Sequence, residues 1–176
     1  MARAEGVVRY PARFQLVMAA NPCPCAPAHD RDCECLPSVR RRYLGRLSGP
    51  LMDRVDLRAE LHPLMAISEF ELDSAESTTE VRARVLRARA AAAARWSEHG
   101  WRTNSEVPGT VLRSQFRLPR EVVKPLDDEL RRGRLTARGA DRALRLAWTL
   151  SDLAGQDRPD LEMIERAITF KGQRAA

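Results

Sequence analysis

The chain has 176 residues, 30 of them basic and 24 acidic, for a net charge of +6. That length holds one moderate domain or two small ones, and a 44% apolar content allows a packed core. No apolar run approaches the roughly 20 residues of a membrane-spanning helix, and the opening MARAEGVVRY has no signal-peptide core, so the expected setting is cytosolic. All basic residues but Lys124 and Lys171 are arginines. With the many alanines, this fits a GC-rich genome. The charge is spread along the chain, so it allows contact with nucleic acid without pointing to it.

The first expected element is a strand. RFQLVMAA (13–20) is a short apolar run stopped by Asn21-Pro22, the pattern of a strand buried on both faces. A Pro-rich loop follows, and then a helix over about 38–47, with Ser38 as candidate cap. Gly49-Pro50 breaks it, and PLMDR opens a turn or short helix. In VDLRAEL, Val55, Leu57, Ala59 and Leu61 alternate with polar residues, which predicts a second, half-covered strand ending at His62-Pro63. Residues 64–75 read as a connector.

The remainder reads as helical. Ser77-Thr-Thr-Glu80 fits a capping box opening a helix over about 78–98, with Gly100 as its stop. A loop over 104–109 precedes a helix over about 120–132. Thr136 is a candidate cap for a helix to about Ala154, ended by Gly155, and a last helix covers about 159–170. Trp96, Trp101 and Trp148 suit core or hinge packing better than base stacking.

All four cysteines lie in NPCPCAPAHDRDCEC, as the pairs Cys23/Cys25 and Cys33/Cys35. In a reducing compartment such a cluster favours metal ligation over disulfides. Four thiolates suit tetrahedral zinc. His29 and Asp30 are alternative ligands, and reduced free thiols or a redox role are the other readings. Downstream, VRRRYLGR sets Arg40, Arg41, Arg42 and Arg46 around Tyr43. That pattern can grip single-stranded DNA, although a solvated helix face explains it equally well.

Three stretches in order, FQLVMAANPCPC, RYLGRLSGPLMDRVDL and LTARGADRALRLAWTLSDLAG, resemble the magnesium-chelatase-like AAA+ ATPases of the ComM/YifB type. The resemblance runs from about Arg9 to Phe170. It implies an α/β piece (residues 1–65), the remnant of a P-loop AAA+ core with two strands and a helix. An all-α lid of about four helices (66–176) would follow. It also implies ATP and Mg²⁺ as ligands, a hexameric ring of identical chains, and DNA as partner, with branch migration during recombination or natural transformation as the activity. The family often has Gly after the second cysteine, where this chain has Ala26.

The resemblance assigns site residues. Asn21, at the end of the first expected strand, matches sensor 1; a carboxamide there can orient the attacking water or touch the γ-phosphate. A turn-former before proline is the plainer explanation of the same residue. Arg54 matches the arginine finger that reaches a neighbour's nucleotide, its planar guanidinium suited to charge on a transferring phosphoryl group. Its plainer explanation is a surface pair with Asp53 or Asp56. Arg138 matches sensor 2, with Arg142 second. Arg138, Arg142 and Arg145 share one helical face, opposite a core stripe of Ala140, Leu144, Ala147 and Ala154, and Asp141 to Arg145 is a candidate i,i+4 pair. In this scheme one subunit supplies Asn21 and Arg138 and its neighbour supplies Arg54.

Neither lysine sits in a Gly-rich loop before Ser or Thr, and no apolar strand ends in Asp-Glu. The 176 residues alone are therefore expected neither to bind ATP tightly nor to hydrolyse it. The rival reading is a zinc-stapled basic helical module that binds DNA or a partner ATPase without catalysis.

Overall fold

The computed structural model describes residues 2–3, 6–7, 9, 14–27, 30–61 and 75–172. It is helical and divides into two compact units, 1–46 and 47–176. The expected α/β remnant does not form. Among the described residues, 14–20 pair with no strand, and Phe14, Leu16, Val17 and Met18 are exposed. Residues 55–61 do not form the second strand either: Leu57 and Leu61 lie in solvent, and Leu61 is 91% exposed. A strand exists only through a ladder of bonds to its neighbours' N–H and C=O groups, and among the described residues neither segment has one: 55–61 makes a single such bond, Arg58 N–H to the Phe170 carbonyl. The sole ladder there is a two-residue antiparallel one, Ala2–Arg3 (β1) with Gly6–Val7 (β2). The expected connector over 64–75 lies almost wholly outside the described residues.

In the first unit, Pro37–Leu44 forms helix α1, shorter than the expected 38–47. Its first turn takes Pro37, whose missing N–H would have been unsatisfied in any case. Among the described residues of 1–46, only Cys23 is buried.

The second unit begins with α2, Gly49–Arg54, capped by the Ser48 hydroxyl accepting from Leu51 N–H. Helix α3, Thr78–Trp96, starts with the expected capping box: Ser77 Oγ accepts from Glu80 N–H, and the Glu80 carboxylate accepts from Ser77 N–H. Gly100, at φ 74°, closes the 3₁₀ turn that follows. The segment expected to be a loop instead contains a 3₁₀ turn, Asn104–Glu106, and the short helix α4, Gly109–Arg113. Helices α5 (Arg120–Arg131), α6 (Ala137–Ala154) and α7 (Leu161–Lys171) complete the unit. Thr136 caps α6 through Gly139 N–H, and Gly155 ends it at φ 73°.

Helix α6 is the centre, touching α2, α3, α4, α5 and α7. Its Ala140, Ala143, Leu144, Ala147 and Trp148 are buried with Trp96, Val107, Leu112, Leu126, Ile164 and Ala167. Ala154, expected on the same stripe, is exposed at the helix end. Trp96 and Trp148 pack edge to face at 5.5 Å, a geometry that sets ring edge against ring face. No helix among the described residues is long and apolar enough to cross a membrane.

Candidate functional site

Two side-chain constellations stand apart from core packing. The first is the cysteine loop. Cys23 Sγ lies 3.3 Å from Cys25 Sγ and 3.4 Å from Cys33 Sγ, and Cys25 to Cys33 is 3.7 Å. All four sulfurs, Cys35 included, lie within 4.8 Å of one another. A tetrahedral ion with bonds of ~2.3 Å would hold its sulfurs roughly 3.8 Å apart. The cluster therefore fits a four-thiolate metal centre in donor type, number and spacing. Backbone N–H groups of Ala26 and Cys25 aim at Cys23, that of Glu34 at Cys25, and that of Cys25 at Cys35. Such donors favour thiolates over thiols.

The four thiols are not equivalent. Burial, reinforced by bonds to Cys25 and Cys33, pushes Cys23 up to about 12. Hydrogen bonds, from Cys23 first, hold Cys25 down at about 7. Cys35 is raised, chiefly by its bond with Cys25. The turn after the first pair closes through Ala26 N–H to the Cys23 carbonyl, 3.2 Å. Ala26 takes φ 47°, the left-handed conformation glycine adopts freely. The alanine thus occupies the turn in the glycine conformation. His29 lies outside the described residues.

The second constellation gathers at the end of α2 in the second unit. Arg54 is exposed and donates to the Pro50 carbonyl, 2.8 Å away in its own helix. Asp53 faces the base of α6: its carboxylate accepts from the Thr136 hydroxyl at 2.9 Å and stands 3.8 Å from Arg138. Arg138 remains more than half exposed. Arg142 is more covered and pairs with Asp56. Arg145 donates to the Val107 carbonyl at 2.7 Å, and Asp141 pairs with Arg113 rather than Arg145. The three arginines of one helical face thus differ. Arg145 serves packing, Arg142 an ion pair within the unit, and Arg138 keeps its guanidinium towards solvent.

Lys171 completes the cluster. It is 4% exposed, and its ammonium donates to the carbonyls of Asp53 at 2.8 Å and Val55 at 2.6 Å. Burial lowers its pKa, with Arg142 adding to the effect. Arg58 reaches the same helix end, with Nη2 donating to the Met52 carbonyl at 2.8 Å and its own N–H donating to the Phe170 carbonyl at 2.6 Å. The structure thus brings Arg138 and Arg142 to Asp53 and Asp56, which flank Arg54 in the chain, while the Arg54 side chain itself bonds within its own helix. Asn21 is exposed and belongs to the first unit, two residues before Cys23. Sequence reasoning missed Thr136 as a partner of Asp53, and it missed Lys171 and Arg58 altogether. The available signal was a lone lysine before glycine at a helix end, in a chain whose other cations are almost all arginine.

Residues 1–68 match the family described as magnesium chelatase, subunit ChlI, and residues 75–171 match its C-terminal family. The chain belongs to the magnesium chelatase ChlI family. Within this family, it is 54% identical over 171 residues to the Mycobacterium tuberculosis protein Rv2897c, covering 97% of this chain and 34% of the relative. It is 31% identical to Escherichia coli YifB over 172 residues, and 31% identical to the Haemophilus influenzae competence protein ComM over 173. Each of those two matches covers 97% of this chain and 33% of the relative. The chain therefore spans about a third of the length of the curated relatives it matches.

Proposed function

We propose that the chain is the arginine-bearing part of a shared ATP pocket in a ring-forming, DNA-remodelling ATPase of the ChlI family. Arg54 acts as the finger on the transferring γ-phosphoryl group. Arg138 binds the same phosphates, Arg142 supports it from its pair with Asp56, and Asn21 orients the attacking water. The phosphate cradle and Mg²⁺ ligands must come from sequence other than these 176 residues. The name of the competence protein ComM supports a role in competence.

One observation carries this reading. Asp53 ties Thr136 and Arg138 to the residue beside Arg54, so two solvent-facing guanidinium groups come from one cluster. That arrangement favours both cations reaching the same nucleotide from one chain, rather than Arg138 and Arg54 from two neighbours. In an ATP-hydrolysing assembly containing this chain, Arg54→Ala should lower turnover by roughly 10³-fold. Normal turnover in that variant would remove the finger assignment. Mixing Arg54→Ala chains with Arg138→Ala chains should restore nothing if one chain supplies both cations. Recovery on mixing would return Arg138 to the nucleotide's own subunit.

A second reading is favoured by the sulfur geometry: Cys23, Cys25, Cys33 and Cys35 hold a structural Zn²⁺. A cytosolic setting belongs to this reading, because it keeps thiols reduced. Zinc would supply fold energy to a loop with little core of its own. Protein purified without added zinc should carry about one equivalent per chain. A content below about half an equivalent would count strongly against the centre.

A further inference from the structure

Helix α2 has six residues, too few to be stable by itself in water. It nevertheless carries Arg54, whose reach depends on the direction of the helix. Its C-terminal carbonyls have no donors within the helix, and the helix dipole makes that end negative. Lys171, from the last residue of α7, places its ammonium between one of these carbonyls, that of Asp53, and the carbonyl of Val55, the extended residue that follows the helix. A lysine suits the place, being a compact charge with three donors on a slender stem. Arg58 takes the next carbonyl, Met52, and ties its own N–H to the Phe170 carbonyl, one residue before Lys171.

Gly172 makes the arrangement possible. Its φ is 78°, and a Cβ there would meet Arg58 Cδ and Nη1 at 3.2 Å. Only a glycine lets α7 end in this conformation with the Arg58 side chain lying against it. The two-residue sequence Lys171-Gly172 thus builds one clamp on the far side of α2 from its Ser48 cap.

We propose that Lys171 is a positioning residue for Arg54: its ammonium fixes the C-terminal end of α2 to α7, so that the last helix of the bundle sets the direction of the finger. This rests on Arg54 acting at the phosphate. With the clamp closed, α2 and α7 move as one body, and Arg54 is preset before a nucleotide arrives. With the clamp opened, Arg54 remains in the chain but its helix end is loose.

The test has two readouts. In the 176-residue chain, Lys171→Met should speed amide exchange at Val55 and Arg58 by about tenfold or more, leaving Ala147 in α6 unchanged. In the ATP-hydrolysing assembly the same variant should lower kcat by about tenfold with KM for ATP within about twofold, because a finger acts on the transition state. Lys171→Arg, which keeps a cationic donor, should recover part of both effects. Unchanged exchange at Val55 and Arg58 would overturn the clamp. Full kcat in Lys171→Met, beside an inactive Arg54→Ala, would overturn the positioning role. Full turnover in Arg54→Ala would instead remove the finger assignment and leave the exchange result to decide the clamp. Should Lys171→Met fail to fold by tryptophan fluorescence, Gly172→Ala is read in its place, with the same local loss expected and an unchanged pattern overturning the proposal.

Discussion

Ala26 is the only described non-glycine residue with positive φ, at 47°. A side chain in that region costs about 1–2 kcal/mol, and the turn it closes holds Cys23 and Cys25 in register. Ala26→Gly should therefore stabilise the cysteine loop by about 1 kcal/mol, read as greater resistance of the metal-loaded chain to a competing chelator. A loss of resistance would mean that the turn does not need this conformation. Asn104 is the opposite case, a polar residue the core cannot lose. Its carbonyl accepts from Trp96 Nε1 at 2.8 Å, and its amide donates to Asp152 at 2.8 Å and Thr149 at 3.1 Å. Asn104→Ala would strand a buried indole N–H and weaken the Arg95–Asp152 pair. A loss of about 2–4 kcal/mol in denaturant unfolding is expected. In sequence Asn104 is one polar residue in a turn-rich stretch, with nothing to mark Thr149 and Asp152, 45 and 48 residues away, as its partners.

Among the elements, the helices were the legible part. Ser77 and Glu80 announce α3, and Thr136 and Gly155 bracket α6. Ser77→Ala should cost about 1 kcal/mol of stability by thermal unfolding. Helix α4 was not legible, because five residues carry no period. Its place depends on Gly109, where a Cβ would collide with the Asp141 carboxylate on α6. Gly109→Ala should cost about 1–2 kcal/mol and displace the Arg113–Asp141 pair. At the end of α5, a hydrogen bond from Arg134 holds the Glu129 carboxylate below its ordinary range. A depressed carboxylate stabilises the fold fully above its unfolded pKa, about 4.3, and the contribution is lost as pH falls through the lower folded value. Stability should therefore fall with acid below about pH 4.3, and Glu129→Gln should flatten that part of the profile.

At the scale of the molecule, the division into 1–46 and 47–176 has a measurable consequence. In the first unit Cys23 is the only buried side chain among the described residues, so a metal would be its main source of order. All three tryptophans lie in the second unit, around one apolar core. Chelation should unfold the first unit, seen as altered amide signals over 21–35, and leave the tryptophan emission and melting of the second unchanged. A single joint transition would contradict this independence.

The sequence by itself determined the long helices of the second unit, the caps at Ser77 and Thr136 and the stop at Gly155, the family, and the four sulfurs as one group. These are local facts: a helix closes its hydrogen bonds four residues away, and two Cys-x-Cys pairs in one loop cannot lie far apart. Only the tertiary structure decided the rest. The apolar run at 14–20 and the alternation at 55–61 satisfy a strand's pattern, yet a strand also needs neighbours, and no pattern within a segment supplies them. For the same reason, Asp53, Thr136, Arg138 and Lys171, up to 118 residues apart, became one site only when the helices packed.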